Sequence, residues 1–266
     1  MRYSFLLSLC LLLLPAKALA FGAVGHQQVC NLAYQLVQPI TKQQIDSLLA
    51  LGPEQQFAKG CVWPDEVRRE PAYQFTAPYH FLNVPRQQPQ LKPTDCAAKG
   101  CLLSAIQHYS ALLKQSVHSR QKAEALLFYS HFIADLHQPL HVSYADDLGG
   151  NRTALYYFGQ PANLHGVWDT AMLKSLGYSD DPQLAESKLA QLPSNNIRRW
   201  QSGQPLIWAQ QSLDQTRRIY QHYKPGMLFS QPQLERDSPV VEQRLLQAAV
   251  RLAWQLDQLL QPATGN

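Results

Sequence analysis

Phe128-Tyr129-Ser130-His131-Phe132-Ile133-Ala134-Asp135-Leu136-His137-Gln138-Pro139-Leu140-His141 is the stretch on which the fold turns. His131 and Asp135 stand four residues apart, so a helix places them on one face. Phe128, Phe132, Ile133, Ala134 and Leu136 surround the pair with apolar side chains, which predicts a buried helix, here over 120–137. A carboxylate carried into such surroundings needs a partner or a metal to replace its lost hydration. Pro139 cannot continue the helix and ends it, turning His141 back towards the same region.

Working outward, apolar residues recur at spacings of three and four in Val29, Leu32, Ala33, Leu36 and Val37, and again in Leu102, Ile106, Tyr109, Leu112 and Leu113. Both predict amphipathic helices. Stretches 166–176, 183–192 and 205–223 behave alike, and Ser238-Pro239 is expected to open a last helix through Val241, Leu245, Ala249, Leu252, Leu256 and Leu259. Strand signal is confined to Ala154–Phe158 after the Gly149-Gly150-Asn151 turn, predicting at most one small β-hairpin. Val84–Asp95, rich in Pro and Gln, reads as a long surface loop. No repeat, linker or charge block divides the chain, so the expected fold class is mainly α, in a single domain.

The N-terminus carries a different message. Arg2 precedes an apolar run from Phe5 to Pro15, and Ala18-Leu19-Ala20 supplies a small-residue cleavage signal. Residues 1–20 read as a secretory signal peptide, leaving a domain at 21–266 that is exported, secreted or periplasmic, without membrane insertion. Removal takes away Arg2 and Lys17 and no acid, lowering the formal charge from +4 to +2. So weak a basic excess does not make a phosphate-neutralising surface, and any nucleic-acid affinity has to come from a local feature such as bound cations. Processing also removes Cys10, leaving Cys30, Cys61, Cys96 and Cys101 in an oxidising compartment, which points to two disulfides. The short Cys96–Cys101 loop closes on itself, leaving Cys30 for Cys61; a four-thiolate metal site would want closer ligand pairs.

A second pair, His165 and Asp169, repeats the four-residue spacing, and His26, Asp65, His80 and His141 complete a set of eight. Imidazole and carboxylate on one helix face suit zinc in hydrolytic sites, where one position stays open to water. An isolated pair of this kind is more often a plain hydrogen bond; two pairs, one in an apolar context, favour metal.

These residues, with their neighbours, resemble a known family. The run from His131 to His141, Gly149-Gly150-Asn151, Asn163-Leu164-His165-Gly166-Val167-Trp168-Asp169, Phe21-Gly22-Ala23-Val24-Gly25-His26, Trp63-Pro64-Asp65-Glu66 and Tyr79-His80-Phe81 resemble the S1/P1 nucleases in order and spacing over nearly the whole processed chain. The resemblance implies a helical fold shared with zinc-dependent phospholipase C, three zinc ions, and cleavage of single-stranded DNA and RNA to 5′-phosphorylated products with 3′-nucleotidase activity. It places one ion on Asp65, His80, His131 and Asp135. It places a second on the amine and carbonyl of Phe21, on His26 and on a bridging Asp135, and a third on His141, His165 and Asp169. Export would then complete the site, because an α-amine exists at Phe21 only after cleavage beyond Ala20. The family usually carries Trp where this chain has Phe21, a change that touches packing and leaves the backbone ligand atoms unaltered.

The implied chemistry is attack on phosphorus by a hydroxide held between two zinc ions. Asp65, Arg68 and Asp135 are expected to carry it, Arg68 by neutralising phosphoryl charge. Phe81 and Leu148 match positions that sandwich a base, although Phe81 could equally be core. Asn83 stands where several members have Asp and cannot serve as a base. Gln211 replaces a frequent Glu and is expected to make a supporting contact. His108, His118, His137 and His222 are read as structural or exposed, and Asn151-Arg152-Thr153 is a glycosylation sequon. The protein is expected to be monomeric. Two rivals stand: a zinc phospholipase C on the same scaffold, disfavoured by the pairing of Phe81 with Arg68, and a non-catalytic metal- or nucleotide-binding protein, disfavoured because no ligand is missing.

Overall fold

The computed structural model describes residues 21–117 and 119–260. The predicted signal peptide, with Cys10, and His118 lie outside the described residues. The described chain runs α1 (Gly22–Leu36), α2 (Pro39–Leu49), two short helices α3 (Phe57–Gly60) and α4 (Trp63–Val67), then α5 (Leu102–Leu113) and α6 (Arg120–His137). After a long irregular stretch come α7 (Leu164–Gly166), α8 (Met172–Ser175), α9 (Leu184–Ala190), α10 (Ser194–Trp200), α11 (Pro205–His222) and α12 (Gln231–Leu259). It is mainly α. Among the described residues no helix is long and apolar enough to cross a membrane.

The central element is α6. Ser119 caps it, its hydroxyl accepting the Lys122 N–H at 3.2 Å. Every residue from Ala125 to Gln138 is buried, because α1, α2, α4, α5, α11 and α12 all pack around the helix. It stops where Gln138, extended at φ −77° and ψ 117°, precedes Pro139. Phe128 on α6 stacks with Tyr109 of α5, Phe132 lies tilted against it, and Trp63 and Tyr73 close the cluster at ring distances of about 5–6 Å. This aromatic wall backs the polar face of α6.

Two small sheets fix the segments between and beyond these helices. β1 (Leu82–Val84) and β2 (Val142–Tyr144) pair in parallel, with Leu82 opposite Val142 and Asn83 opposite Ser143. They begin just beyond His80 and His141 and so bring those residues side by side. β3 (Ala154–Tyr157) and β4 (Gln160–Asn163) form the expected hairpin, extended by a parallel strand, β5 (Leu228–Phe229). The three extra strands correct the expectation of a lone hairpin. At two or three residues each, they are too short to show a period-two pattern.

Two helix boundaries also differ from the sequence reading. Ser238-Pro239 does not open the last helix: α12 starts at Gln231 behind a Ser230/Gln233 capping box and runs through Pro239. Pro239 lies on the exposed face, where water can satisfy the carbonyl that loses its partner. The segment expected as one helix over 166–176 is α7, a π-turn at Val167–Ala171 and α8 in succession.

Both expected disulfides form, Cys30–Cys61 and Cys96–Cys101. The first ties α1 to the turn between α3 and α4.

Candidate metal centre

His26 comes from α1, Asp65 from α4, His80 from the end of a 3-10 turn, and His131 and Asp135 from one face of α6. All five are buried. Asp135 is their focus: its Oδ1 lies 3.3 Å from His26 Nε2, and its Oδ2 lies 3.2 Å from His80 Nδ1 and 3.1 Å from His131 Nε2. Asp65 Oδ1 faces the same space, 3.5 Å from His80 Nδ1 and 3.1 Å from the Arg68 guanidinium. Beside them, His165 Nε2 lies 3.0 Å from Asp169 Oδ2, and His141 Nε2 lies 3.4 Å from Asp169 Oδ1. Asp169 sits in the π-turn, a rare distortion that often marks a functional site.

The second ring nitrogens decide the protonation. His131 Nδ1 donates to the Cys61 carbonyl at 2.7 Å, His141 Nδ1 to the His80 carbonyl at 2.6 Å, and His165 Nδ1 to the Gly149 carbonyl at 2.7 Å. A carbonyl only accepts, so each Nδ1 carries the proton, and in the neutral ring each Nε2 is a bare lone pair. Those lone pairs face carboxylate oxygens at 3.0–3.4 Å, and that of His131 also faces His80 Nδ1 at 2.9 Å. Two acceptors repel unless a proton or a cation lies between them.

With protein groups alone, imidazolium charge answers the carboxylates. Burial lowers His141, but Asp135 and Asp169 outweigh it and push it up to about 9; burial lowers His131 too, but Asp135 and Asp65 outweigh it and raise it. Burial wins at His80, which falls to about 4, and at His26, also lowered. Asp135 and Asp169 are held below the usual carboxylate range despite burial, through His131 and His141 for the first and His165 and His141 for the second. Even so, both oxygens of Asp65 and Asp135, both nitrogens of His26, Nε2 of His80 and His141, and Oδ2 of Asp169 are buried without a hydrogen-bond partner. Among the described residues three groups converge closely enough to hold a metal: His26–His131–Asp135, Asp65–His80–His131 and His141–His165–Asp169. A donor set of imidazole and carboxylate without thiolate fits a hydrolytic metal site.

The remaining residues from the sequence reading fall around this centre. Phe21 is buried, in a left-handed conformation (φ 31°), its ring edge-on to His26 at 6.4 Å. Phe81 is 42% exposed and Leu148 47%, which removes the core reading of Phe81. Phe81, Asn83, Asp95 and Lys99 line a groove of about 410 Å³. Arg68 is partly exposed beside Asp65. Gln211 makes no supporting contact with the centre: it is exposed on α11, whereas its neighbour Gln210 accepts the Leu91 N–H at 2.8 Å. His137 is buried outside the centre, donating to the Ile133 carbonyl at 2.7 Å and receiving Arg251 at 2.9 Å.

Several contributors escaped the sequence reading. The carbonyls of Cys61, His80 and Gly149 leave no trace in a sequence, since every residue has one. Gly149 leaves an indirect one: its φ is 65°, and a Cβ there would sit 2.5 Å from the Leu140 carbonyl oxygen, so only glycine fits beside His165. Gln138, donating to Asp169, lies inside the run from Phe128 to His141 and could have been singled out there.

Residues 21–261 match the profile of a family described as S1/P1 Nuclease. The chain is 31% identical over 263 residues to Endonuclease 3 of Arabidopsis thaliana, covering 91% of this chain and 90% of that protein. It is 34% identical over 165 residues to Nuclease S1 of Aspergillus oryzae, covering 60% of this chain and 57% of the other. With Nuclease P1 of Penicillium citrinum the figures are 33% over 186 residues, 66% and 68%.

Proposed function

We propose a specific activity from one premise: the chain belongs to the S1/P1 nuclease family. It is a nuclease, a hydrolase acting on the phosphodiester bonds of nucleic acids, with three His/Asp groups able to bind metal. The proposal is that these groups hold three zinc ions. With them the enzyme cuts single-stranded DNA and RNA to 5′-phosphorylated products and removes phosphate from 3′-nucleotides, after export through residues 1–20. The observation that carries it is the set of Nε2 lone pairs beside buried carboxylate oxygens, an arrangement that suits a divalent cation.

Bound there, zinc would supply Lewis acidity and a water of nearly neutral pKa. The protein's part is orientation. Carbonyls hold three imidazoles with the proton on Nδ1 and Nε2 free for a metal, and Asp135, which faces three histidines, would be the carboxylate ligand they share. Arg68, anchored on Asp65, presents a guanidinium to the phosphoryl oxygens. Phe81 and Leu148 offer exposed apolar faces on which an unpaired base stacks, which favours single strands because paired bases are already stacked. Asn83 hydrogen-bonds the substrate without serving as a base.

The test is incubation of the chain beginning at Phe21 with single-stranded RNA and DNA, with and without chelator, followed by end-group analysis. Chelator-sensitive cutting that leaves 5′-phosphates is expected. A zinc-loaded protein that leaves both polymers intact and hydrolyses phosphatidylcholine would instead establish the phospholipase reading.

A further inference from the structure

Gln138 is fully buried and joins three parts of the centre. Its backbone N–H donates to the Asp135 carbonyl at 3.1 Å, and its own carbonyl accepts the His141 N–H at 3.1 Å. Its side-chain oxygen accepts the Leu140 N–H, and its side-chain nitrogen donates to Asp169 Oδ1. The amide cannot be flipped: the end facing Leu140 must accept, so the end facing Asp169 must donate. Asp169 Oδ1, which also lies 3.4 Å from His141 Nε2, therefore already accepts an N–H. The other, Oδ2, has no hydrogen-bond partner, is buried, and lies 3.0 Å from His165 Nε2.

From this we infer that Gln138 is a positioning residue for the third metal: it holds Asp169 by Oδ1 so that Oδ2 is the atom offered, with His165 and His141, to that ion. The inference rests on the three-ion reading. Among the described residues, the side chains paired with the Asp169 carboxylate are, apart from Gln138, the two histidines of its own group. Removing the donor frees the carboxylate to rotate and to turn both oxygens towards the ion or away from it. The loss falls on one ion only, because Gln138 makes no side-chain hydrogen bond with Asp65, Asp135, His26, His80 or His131. Partners of this kind are worth roughly 10- to 100-fold in metal affinity.

The test uses the chain beginning at Phe21, zinc-loaded, as wild type and as Gln138→Met, which keeps length and burial without a donor. Each is dialysed against graded chelator, and zinc per chain is measured by elemental analysis. In Gln138→Met one ion of three should leave at a roughly 10- to 100-fold lower chelator concentration, the other two leaving as in wild type. Uniform weakening of all three, or an unchanged profile, overturns the role given to Gln138. A wild type that never carries three ions overturns the metal reading beneath it, a result distinct from either. Should the variant not fold, NMR of the wild type decides: as zinc is withdrawn stepwise the Gln138 side-chain N–H₂ resonances should shift with the loss of one ion only, and indifference to all three steps, or an equal response to each, refutes the assignment.

Discussion

Replacing Cys30 and Cys61 together by alanine should cost far more than replacing Cys96 and Cys101. The first bridge closes a loop of 31 residues and the second one of 5. The loop-entropy relation then gives about 3.7 kcal/mol for the first and about 2 kcal/mol for the second at 25 °C. Cys30 and Cys61 are both fully buried, so lost packing adds to the first figure. The first bridge also reaches the chemistry, because the Cys61 carbonyl fixes His131, which belongs to two of the three candidate metal groups. Urea unfolding of the metal-free proteins measures the stability term, and zinc retention under dialysis measures the site term. The expected result is a larger fall in stability for the Cys30/Cys61 variant, with weakened zinc binding that the Cys96/Cys101 variant lacks. Equal stability losses, or a Cys30/Cys61 variant that keeps its zinc as tightly as wild type, would refute the link between the bridge and the site.

Arg68→Ala should lower kcat by roughly 10²-fold while zinc content stays intact, since its place is on the phosphoryl charge; single-turnover cleavage of an oligonucleotide measures this. Phe81→Ala should raise KM for single strands by roughly 5- to 150-fold, equivalent to about 1 to 3 kcal/mol of lost stacking, with kcat little changed. Gly149→Ala forces a side chain into a left-handed conformation against the Leu140 carbonyl, costing at least about 1–2 kcal/mol in denaturant unfolding and loosening the ion nearest His165. N-terminal sequencing of the exported protein should read Phe21-Gly22-Ala23; a different first residue would remove the proposed backbone ligand.

The helices that were legible in the sequence are those whose burial writes a period or an apolar run closed by a breaker. In α6 nearly every position is enclosed, and Pro139 marks the end, so its extent could be read to the residue. By contrast α10 buries none of its residues and left no pattern to read. Pro239 misled because a local rule about proline yielded to the packing of a long helix, whose Val241, Leu245, Ala249 and Leu252 are buried. At the centre His131 and Asp135 were readable because His and Asp at four-residue spacing have few other reasons to sit among Phe and Ile, whereas the assignment of His26, Asp65 and His80 came from the family resemblance. The carbonyls that set the imidazole tautomers were not readable, because they belong to the path of the backbone. Phe81 alternates with apolar neighbours as a core residue does, and only its exposure separated the two readings.

The central claim is that the buried His/Asp groups are zinc sites, and anomalous scattering tests it most directly. Crystals of the chain beginning at Phe21 should give three anomalous peaks that appear above the zinc absorption edge and vanish below it. Two should flank Asp135, and one should lie among His141, His165 and Asp169. Zinc-soaked crystals with no peak at these positions, and with hydrogen bonds directly joining the imidazoles to the carboxylates, would contradict the account.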